Sequence, residues 1–320
     1  MSRFKVADAP HIHCGWSTQS VMLNVLIALL PVSIASVVIF GLKALLIIVV
    51  CVASCVLSEF VFNLVTKKPQ TVSDLSAAVT GLLLALNLST NVTVYQCVVG
   101  SLFAIVVVKC LFGGLGKNFA NPAISGRVFM LLTFSAVAGG ANPTIVELTT
   151  SATPLEIMKN GDVLPSMTEM MLGLHGGAIG ETCIVALLLG FVYLVVKKII
   201  KWYVPVSFIA TVFVLSFVKS FDITYSLYQI LSGGLFIGAI FMATDYVTTP
   251  ITDKGKVVFA IGCGIITFVI RQFFSLPEGV SFSILFMNLL VPYIVNSSIY
   301  GTSRFIIKIE NETPSGNEKN

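Results

Sequence analysis

This sequence carries little charge. Charged residues make up 11% of its 320 residues, whereas about 25% is usual in a soluble domain. Apolar residues make up 56%, so a bilayer is the expected solvent for most of the chain, and a soluble globular protein is excluded. The net charge of +4 is small and implies no nucleic-acid partner.

Several catalytic and metal-binding signatures are also missing. The seven cysteines form no Cys-x-x-Cys pair, which argues against a disulfide framework or iron–sulfur ligands. No Gly-Lys-Ser/Thr phosphate loop, zinc motif or nucleophile elbow occurs, which argues against an independent hydrolase or ATPase. His11, His13 and Cys14 have no fourth ligand nearby, so we expect no metal there. We also expect no cleavable signal peptide, because the first apolar run reaches spanning length.

The apolar runs predict an all-α membrane protein, since about 20 residues cross a bilayer core as a helix. We count ten such runs, and we expect the shorter ones to be tilted or broken. They are residues 21–40, 44–65, 75–88, 92–112, 128–138, 177–196, 203–218, 227–241, 257–270 and 282–299.

The placement of the basic residues predicts the orientation, because Lys and Arg beside spanning segments stay on the cytoplasmic side. With both termini inside, only four of the 19 Lys and Arg residues fall outside. We therefore expect a multi-pass protein of a bacterial cell membrane with both termini cytoplasmic. The four outside residues are Lys43, Lys159, Lys219 and Arg271.

A weak internal repeat lays residues 75–90 on residues 227–242, which pairs the third run with the eighth. The offset of five helices is odd, so the two halves are expected to be inverted relative to one another, as in many transporter folds. The predicted organisation is a cytoplasmic segment (1–20), a first five-helix repeat (21–138), an outer loop (139–176), a second repeat (177–300) and a cytoplasmic tail (301–320).

Two segments with Gly, Pro and amide side chains, residues 113–123 and 241–250, adjoin apolar helices on the predicted inner side. Irregular backbone at membrane depth is tolerated around a cavity, and such a cavity suits a flavin, whose ring has an apolar body and an amide-like edge. The alternative is that Asn121 and Asp245 are helix caps. The candidate contacts are Asn118, Asn121, Thr244, Asp245 and Thr248.

A cluster of hydroxyl residues lies in the outer loop. The sequence Thr150-Ser151-Ala152-Thr153 resembles the Ser/Thr-Gly-Ala-Thr motif of the family formed by the D subunits of Rnf ion-translocating oxidoreductases and the B subunits of sodium-translocating NADH:quinone reductases. In that family the last Thr carries FMN through a phosphoester bond, so the resemblance implies covalent FMN on Thr153. The family's Gly is Ser151 here, a rival hydroxyl. Spacing alone also fits an ordinary polar loop.

The resemblance covers almost the whole chain, from residues 10–18 to residues 286–292. It includes the Gly-x-Asn-x-x-Asn-Pro-Ala and Met-Ala-Thr-Asp patterns, and it implies a non-covalent riboflavin on the inner side, in contact with Asn118 and Asn121. On the outer side, Asn87 and Glu278 are expected to wall the FMN pocket. The absence of a long N-terminal extension favours the Rnf branch.

The function implied by the resemblance is an electron-relay subunit of a ferredoxin:NAD⁺ oxidoreductase that moves Na⁺ or H⁺. It is not an independent enzyme. The implied partners are the lipid bilayer and the other Rnf subunits A, B, C, E and G, with G carrying a second covalent FMN. The competing hypotheses are a flavin-free solute channel or secondary transporter of the same fold and a cofactor-free membrane scaffold.

Glu59 lies inside the second apolar run. A carboxylate at membrane depth is a candidate for an ion path. The alternative is that it reaches the interface beside Lys67 and Lys68.

Overall fold

The computed structural model describes residues 17–134, 153–160, 164–274 and 279–312, and these residues are helical with no strand among them. Two helices, α4 and α11, continue directly as π-helices over Phe103–Cys110 and Gly238–Met242. The helices are α1 (Thr18–Phe40), α2 (Leu42–Val65), α3 (Ser76–Leu86), α4 (Val94–Leu102), α5 (Pro122–Thr133), α6 (Pro154–Asn160), α7 (Met167–Leu172), α8 (Ile184–Val196), α9 (Tyr203–Ser220), α10 (Ile223–Leu231), α11 (Leu235–Ile237), α12 (Asp253–Phe273) and α13 (Val280–Glu312).

Length and composition identify membrane spans within the described residues. Four helices, α1, α2, α9 and α12, are long and apolar enough to cross a bilayer, and α10 with α11 and its π-helix forms a fifth candidate bent by 65°. Five further apolar helices are shorter. These features indicate an all-helical membrane protein, and the arrangement as ten spans in two inverted repeats stays a prediction.

Three of the predicted runs differ from the helices observed. The fifth, 128–138, is wrong at its start, because Asn121 caps α5 and Pro122 is its first residue, a position that proline suits. The sixth, 177–196, is helical only from Ile184. The eighth, 227–241, is broken at residues 232–234 between α10 and α11, where Gly233 has a φ of 67°.

Closely packed helix pairs hold the bundle together. Helix α2 packs on α3 and α4, α9 packs on α10 and α12, and α1 packs on α8. A Cβ at Gly81 of α3 would lie 2.7 Å from Cα of Val52, and one at Gly264 of α12 would lie 2.6 Å from Cβ of Thr211. Glycine is therefore required at both crossings, as is common where membrane helices approach closely.

The end of α3 is closed by the loop before α8. The backbone N–H of Gly180 donates to the carbonyl of Leu86 (2.6 Å), and that of Ile179 donates to Leu88 (2.9 Å). Carbonyls at a helix end need such partners when they are buried. These bonds keep residues 177–183 out of α8.

Candidate functional site

A cavity of about 750 Å³, part of it open at the mouth, lies where the start of α5 meets the turn after the second π-helix. Its volume is within the range of small-molecule sites. It brings together four of the predicted contacts, which are Asn118, Asn121, Thr244 and Asp245. The sequence hypothesis that residues 113–123 and 241–250 border one cavity is therefore confirmed.

Asn118 has an unused acceptor at this cavity. The side chain is 8% exposed, and its Nδ2 donates to the carbonyl of Ala120 at 3.0 Å. Its Oδ1 is buried and has no hydrogen-bond partner among the described residues. Buried polar atoms are normally paired, so this oxygen suits a donor on a ligand.

Asn121 has a structural role as well as a place at the cavity. Its Oδ1 accepts from the backbone N–H of Ala123 (3.0 Å) and of Ile124 (3.4 Å), so it is the N-cap of α5. The capping alternative is thus confirmed for Asn121. A cap of this kind contributes about 1 kcal/mol.

Asp245 does not cap a helix, because α12 is capped by Thr252. The capping interpretation of Asp245 is therefore wrong. Asp245 instead accepts from Thr248 Oγ1 (2.9 Å) and from the backbone N–H of Val247 (3.4 Å). Burial raises the pKa of this carboxyl group and outweighs these hydrogen bonds, which lower it. Thr248 holds Asp245, while Thr244 uses its hydroxyl proton on the carbonyl of Ile240 at 2.5 Å.

Asn288 of α13 ties the two cavity segments together, and the sequence analysis did not select it. With its amide oriented for hydrogen bonding, its nitrogen donates to the carbonyl of Thr248 (3.0 Å) and its oxygen accepts from the backbone N–H of Asn121 (3.1 Å). A 3%-exposed amide within an apolar helix was the available signal, since a buried amide needs partners.

A buried ion pair lies at the cavity wall. The Nζ of Lys109 is 2.8 and 2.9 Å from the two carboxylate oxygens of Glu59 and 2.6 Å from Oγ of Ser76. Lys109 and Ser76 both line the cavity. Glu59 is 1% exposed, so the alternative in which it reaches the interface beside Lys67 and Lys68 is wrong.

Thr153 lies at the opposite end of the bundle, directly before α6. It is partly exposed, and its Oγ1 accepts from the backbone N–H of Glu156 at 3.4 Å. The Nζ of Lys159 donates to the carbonyl of Phe274 at 3.0 Å, which fixes α6 at the C-terminal end of α12. Three other predicted residues, Thr150, Ser151 and Glu278, lie outside the described residues.

Arg271 gives this end a buried cation. A Cβ at Gly233 would lie 2.9 Å from Cδ1 of Leu155 and 3.0 Å from Nη2 of Arg271, so both side chains flank the break between α10 and α11. Lys219 contacts Gln272. Three of the four cations predicted for the outer side, Lys159, Lys219 and Arg271, thus share one end of α12.

Asn87 lies in a buried polar centre. Its Oδ1 accepts from Arg127, and its Nδ2 donates to the carbonyl of Leu83 at 2.7 Å and contacts the sulfur of Met242 at 3.8 Å. Arg127 also lies 3.9 Å from a carboxylate oxygen of Glu181. The role of Asn87 beside FMN stays a prediction.

The length of α12 separates the cavity from Thr153. Asp253 at its start accepts from the hydroxyl of Tyr203 at 2.5 Å, just after Ile200, which lines the cavity. The far end of α12 contacts α6. A helix of 21 residues is about 31 Å long, close to the thickness of a bilayer core.

These features define the class as a multi-pass helical membrane protein with a cofactor-sized cavity at one end. The particular family follows from comparison with known proteins: the profile of the NQR2, RnfD, RnfE family matches residues 5–300. The chain belongs to this family.

Relatives with assigned names are similar over nearly their full length. The chain is 43% identical to the D subunit of the Na⁺-translocating ferredoxin:NAD⁺ oxidoreductase complex of Acetobacterium woodii, covering 93% of this chain and 96% of the relative. It is 37% identical to the D subunit of the proton-translocating ferredoxin:NAD⁺ oxidoreductase complex of Clostridium ljungdahlii (91% and 93%). It is 31% identical to the D subunit of an ion-translocating oxidoreductase complex of Actinobacillus succinogenes (91% and 95%).

Proposed function

We propose that this chain is the membrane electron-relay subunit of an ion-translocating ferredoxin:NAD⁺ oxidoreductase complex. It carries covalent FMN on Thr153 at the outer side and a non-covalent riboflavin in the cavity at the inner side. The observation that carries this proposal is the convergence of Asn118, Asn121, Thr244 and Asp245 on one cavity, at the end of the bundle opposite Thr153.

The polar groups of the cavity fit a riboflavin. The unpaired Oδ1 of Asn118 suits an N–H at the edge of the flavin ring, while Asp245 and the Thr244 oxygen can accept hydrogen bonds from ribityl hydroxyls. Apolar side chains such as Val25, Leu83 and Phe241 form other parts of the wall and suit the body of the ring. When bound, the riboflavin would supply a redox centre on the inner side.

The surroundings of Thr153 fit a phosphoester-linked FMN. The hydroxyl is on a partly exposed residue, as an attachment reaction requires. Two residues further on, Leu155 packs beside the Arg271 guanidinium at Gly233. A cation near the attachment site favours a phosphate group.

Both cofactors are needed for a relay across the bilayer, because one flavin outside cannot return electrons across a ~30 Å apolar core. We propose ten spans in two inverted repeats, with the termini in the cytoplasm. We also propose that the other Rnf subunits A, B, C, E and G are the partners, with G supplying the second covalent FMN. The relatives named for Na⁺ and for protons leave both ions as candidate cargo.

The test is the flavin content of the complex purified from its native host. After denaturing electrophoresis this chain should fluoresce, and its intact mass should show one FMN-sized adduct. Thr153→Ala should abolish the adduct, whereas the matched variant Ser151→Ala should keep it. An adduct that persists in Thr153→Ala would refute the attachment site.

The non-covalent flavin is tested separately by acid extraction. The wild type and Thr153→Ala should both release riboflavin beyond the amount that partner subunits contribute. A chain that contains neither covalent nor extractable flavin would favour the solute channel or secondary transporter.

A further inference from the structure

The ion pair between Lys109 and Glu59 has a direction relative to the cavity. Lys109, near the end of the first π-helix, contributes to the cavity wall. Glu59 approaches it from α2 and also accepts a hydrogen bond from Thr71 Oγ1 at 2.6 Å. Within the described residues, the cavity is lined by Lys109 and its neighbour Ser76 but not by Glu59. The pair therefore presents its positive end to the cavity.

The pair is fully buried, with 2% exposure of each side chain. The ammonium group has three acceptors, two from Glu59 and one from Ser76. Such a pair gains little for stability over an apolar replacement, because desolvation offsets the attraction. Its field is nevertheless strong, since nearby water does not screen it. The position of Lys109 at a cavity wall gives that field an object.

We propose that the Lys109–Glu59 pair sets the reduction potential of the flavin in the cavity, with Lys109 as a positioning residue that favours the reduced state. The proposal rests on the proposed function. Adding one electron without a proton places one negative charge at the cavity, and the nearer ammonium group stabilises that charge. Lys109 keeps its proton, Glu59 stays ionised, and no bond in the protein forms or breaks.

The test is a reductive titration of the purified complex with dithionite, followed by flavin absorbance. All variants are made in the Thr153→Ala background, so that the subunit holds only the cavity flavin. Lys109→Met together with Glu59→Gln replaces the pair by neutral side chains of similar size. The equilibrium constant for one-electron reduction should fall at least tenfold, which lowers the potential by about 59 mV or more.

Single variants give the sign of the effect. Lys109→Met should lower the potential further, because Glu59 keeps its charge, and Glu59→Gln should raise it. The matched control is Thr71→Val, which removes a hydrogen bond to Glu59 but keeps both charges, and it should leave the potential unchanged. If the single variants do not assemble, the double variant and Thr71→Val decide the question.

The outcomes separate this inference from the proposed function. If acid extraction of the Thr153→Ala complex releases no flavin from this subunit, the proposed function fails and the inference fails with it. If the double variant retains its flavin but its potential equals that of the parent, only the inference is overturned. The same holds if Thr71→Val shifts the potential as much as the double variant does.

Discussion

Asn118→Leu is the sharpest perturbation of the cavity. The substitution keeps a side chain of similar size and removes the Oδ1 that lacks a partner among the described residues. It also removes the bond from Nδ2 to the carbonyl of Ala120. Asn121 is a less clean probe, because its side chain caps α5 and its loss would disturb the cavity wall.

The expected magnitude follows from one lost neutral hydrogen bond to the ligand. Such a bond contributes ~0.5–1.5 kcal/mol, with a further cost for a ligand donor left unpaired, and ~1.4 kcal/mol corresponds to a tenfold change in affinity. Asn118→Leu should therefore raise the riboflavin dissociation constant about tenfold.

The assay measures riboflavin retained by the purified complex after dialysis against a series of riboflavin concentrations. Asn160→Leu, at the end of α6 and away from the cavity, is the matched control and should behave as wild type. The Thr153 adduct should be intact in both variants. Wild-type retention by Asn118→Leu would show that this amide does not hold the flavin.

Three further predictions concern the thermal stability of the detergent-purified complex. Asn121→Ala should lower the stability of α5 by about 1 kcal/mol whereas Asn121→Ser should largely retain it, and equal losses would argue against the cap. Gly180→Val should destabilise by ~1–3 kcal/mol, because a Cβ there would lie 2.5 Å from Cβ of Leu86; an unchanged melting temperature would contradict the packing. Burial lowers the pKa of His175 in the loop before α8, so its contribution is present above about pH 6.5 and lost as the pH falls below that value. His175→Gln should flatten this dependence between about pH 8 and about pH 5.5, and an identical slope would contradict the assignment.

The sequence predicts long apolar helices well and tertiary breaks poorly. Helices α1, α2 and α9 begin and end within a few residues of the predicted runs, because each is a continuous apolar stretch. Residues 177–183 read as helix, but their N–H groups bond to the end of α3, about 90 residues earlier. Bonds of that kind leave no local pattern.

The candidate site shows the same division. Asn118 and Asp245 were found because amides and acids beside Gly and Pro stand out locally. Lys109 and Asn288 were missed because each lies within an apolar run. The partner of Lys109 is Glu59, 50 residues away on another helix, so only the packing of α2 against α4 and its π-helix reveals the pair.

The central claim is two flavins at opposite ends of one helical bundle, and an experimental density map of the native complex tests it most directly. The account predicts continuous density from Oγ1 of Thr153 into an FMN. It also predicts a flavin ring in the cavity within hydrogen-bonding distance of Asn118 Oδ1. A bare Thr153 side chain, or a lipid chain in the cavity, would contradict the account.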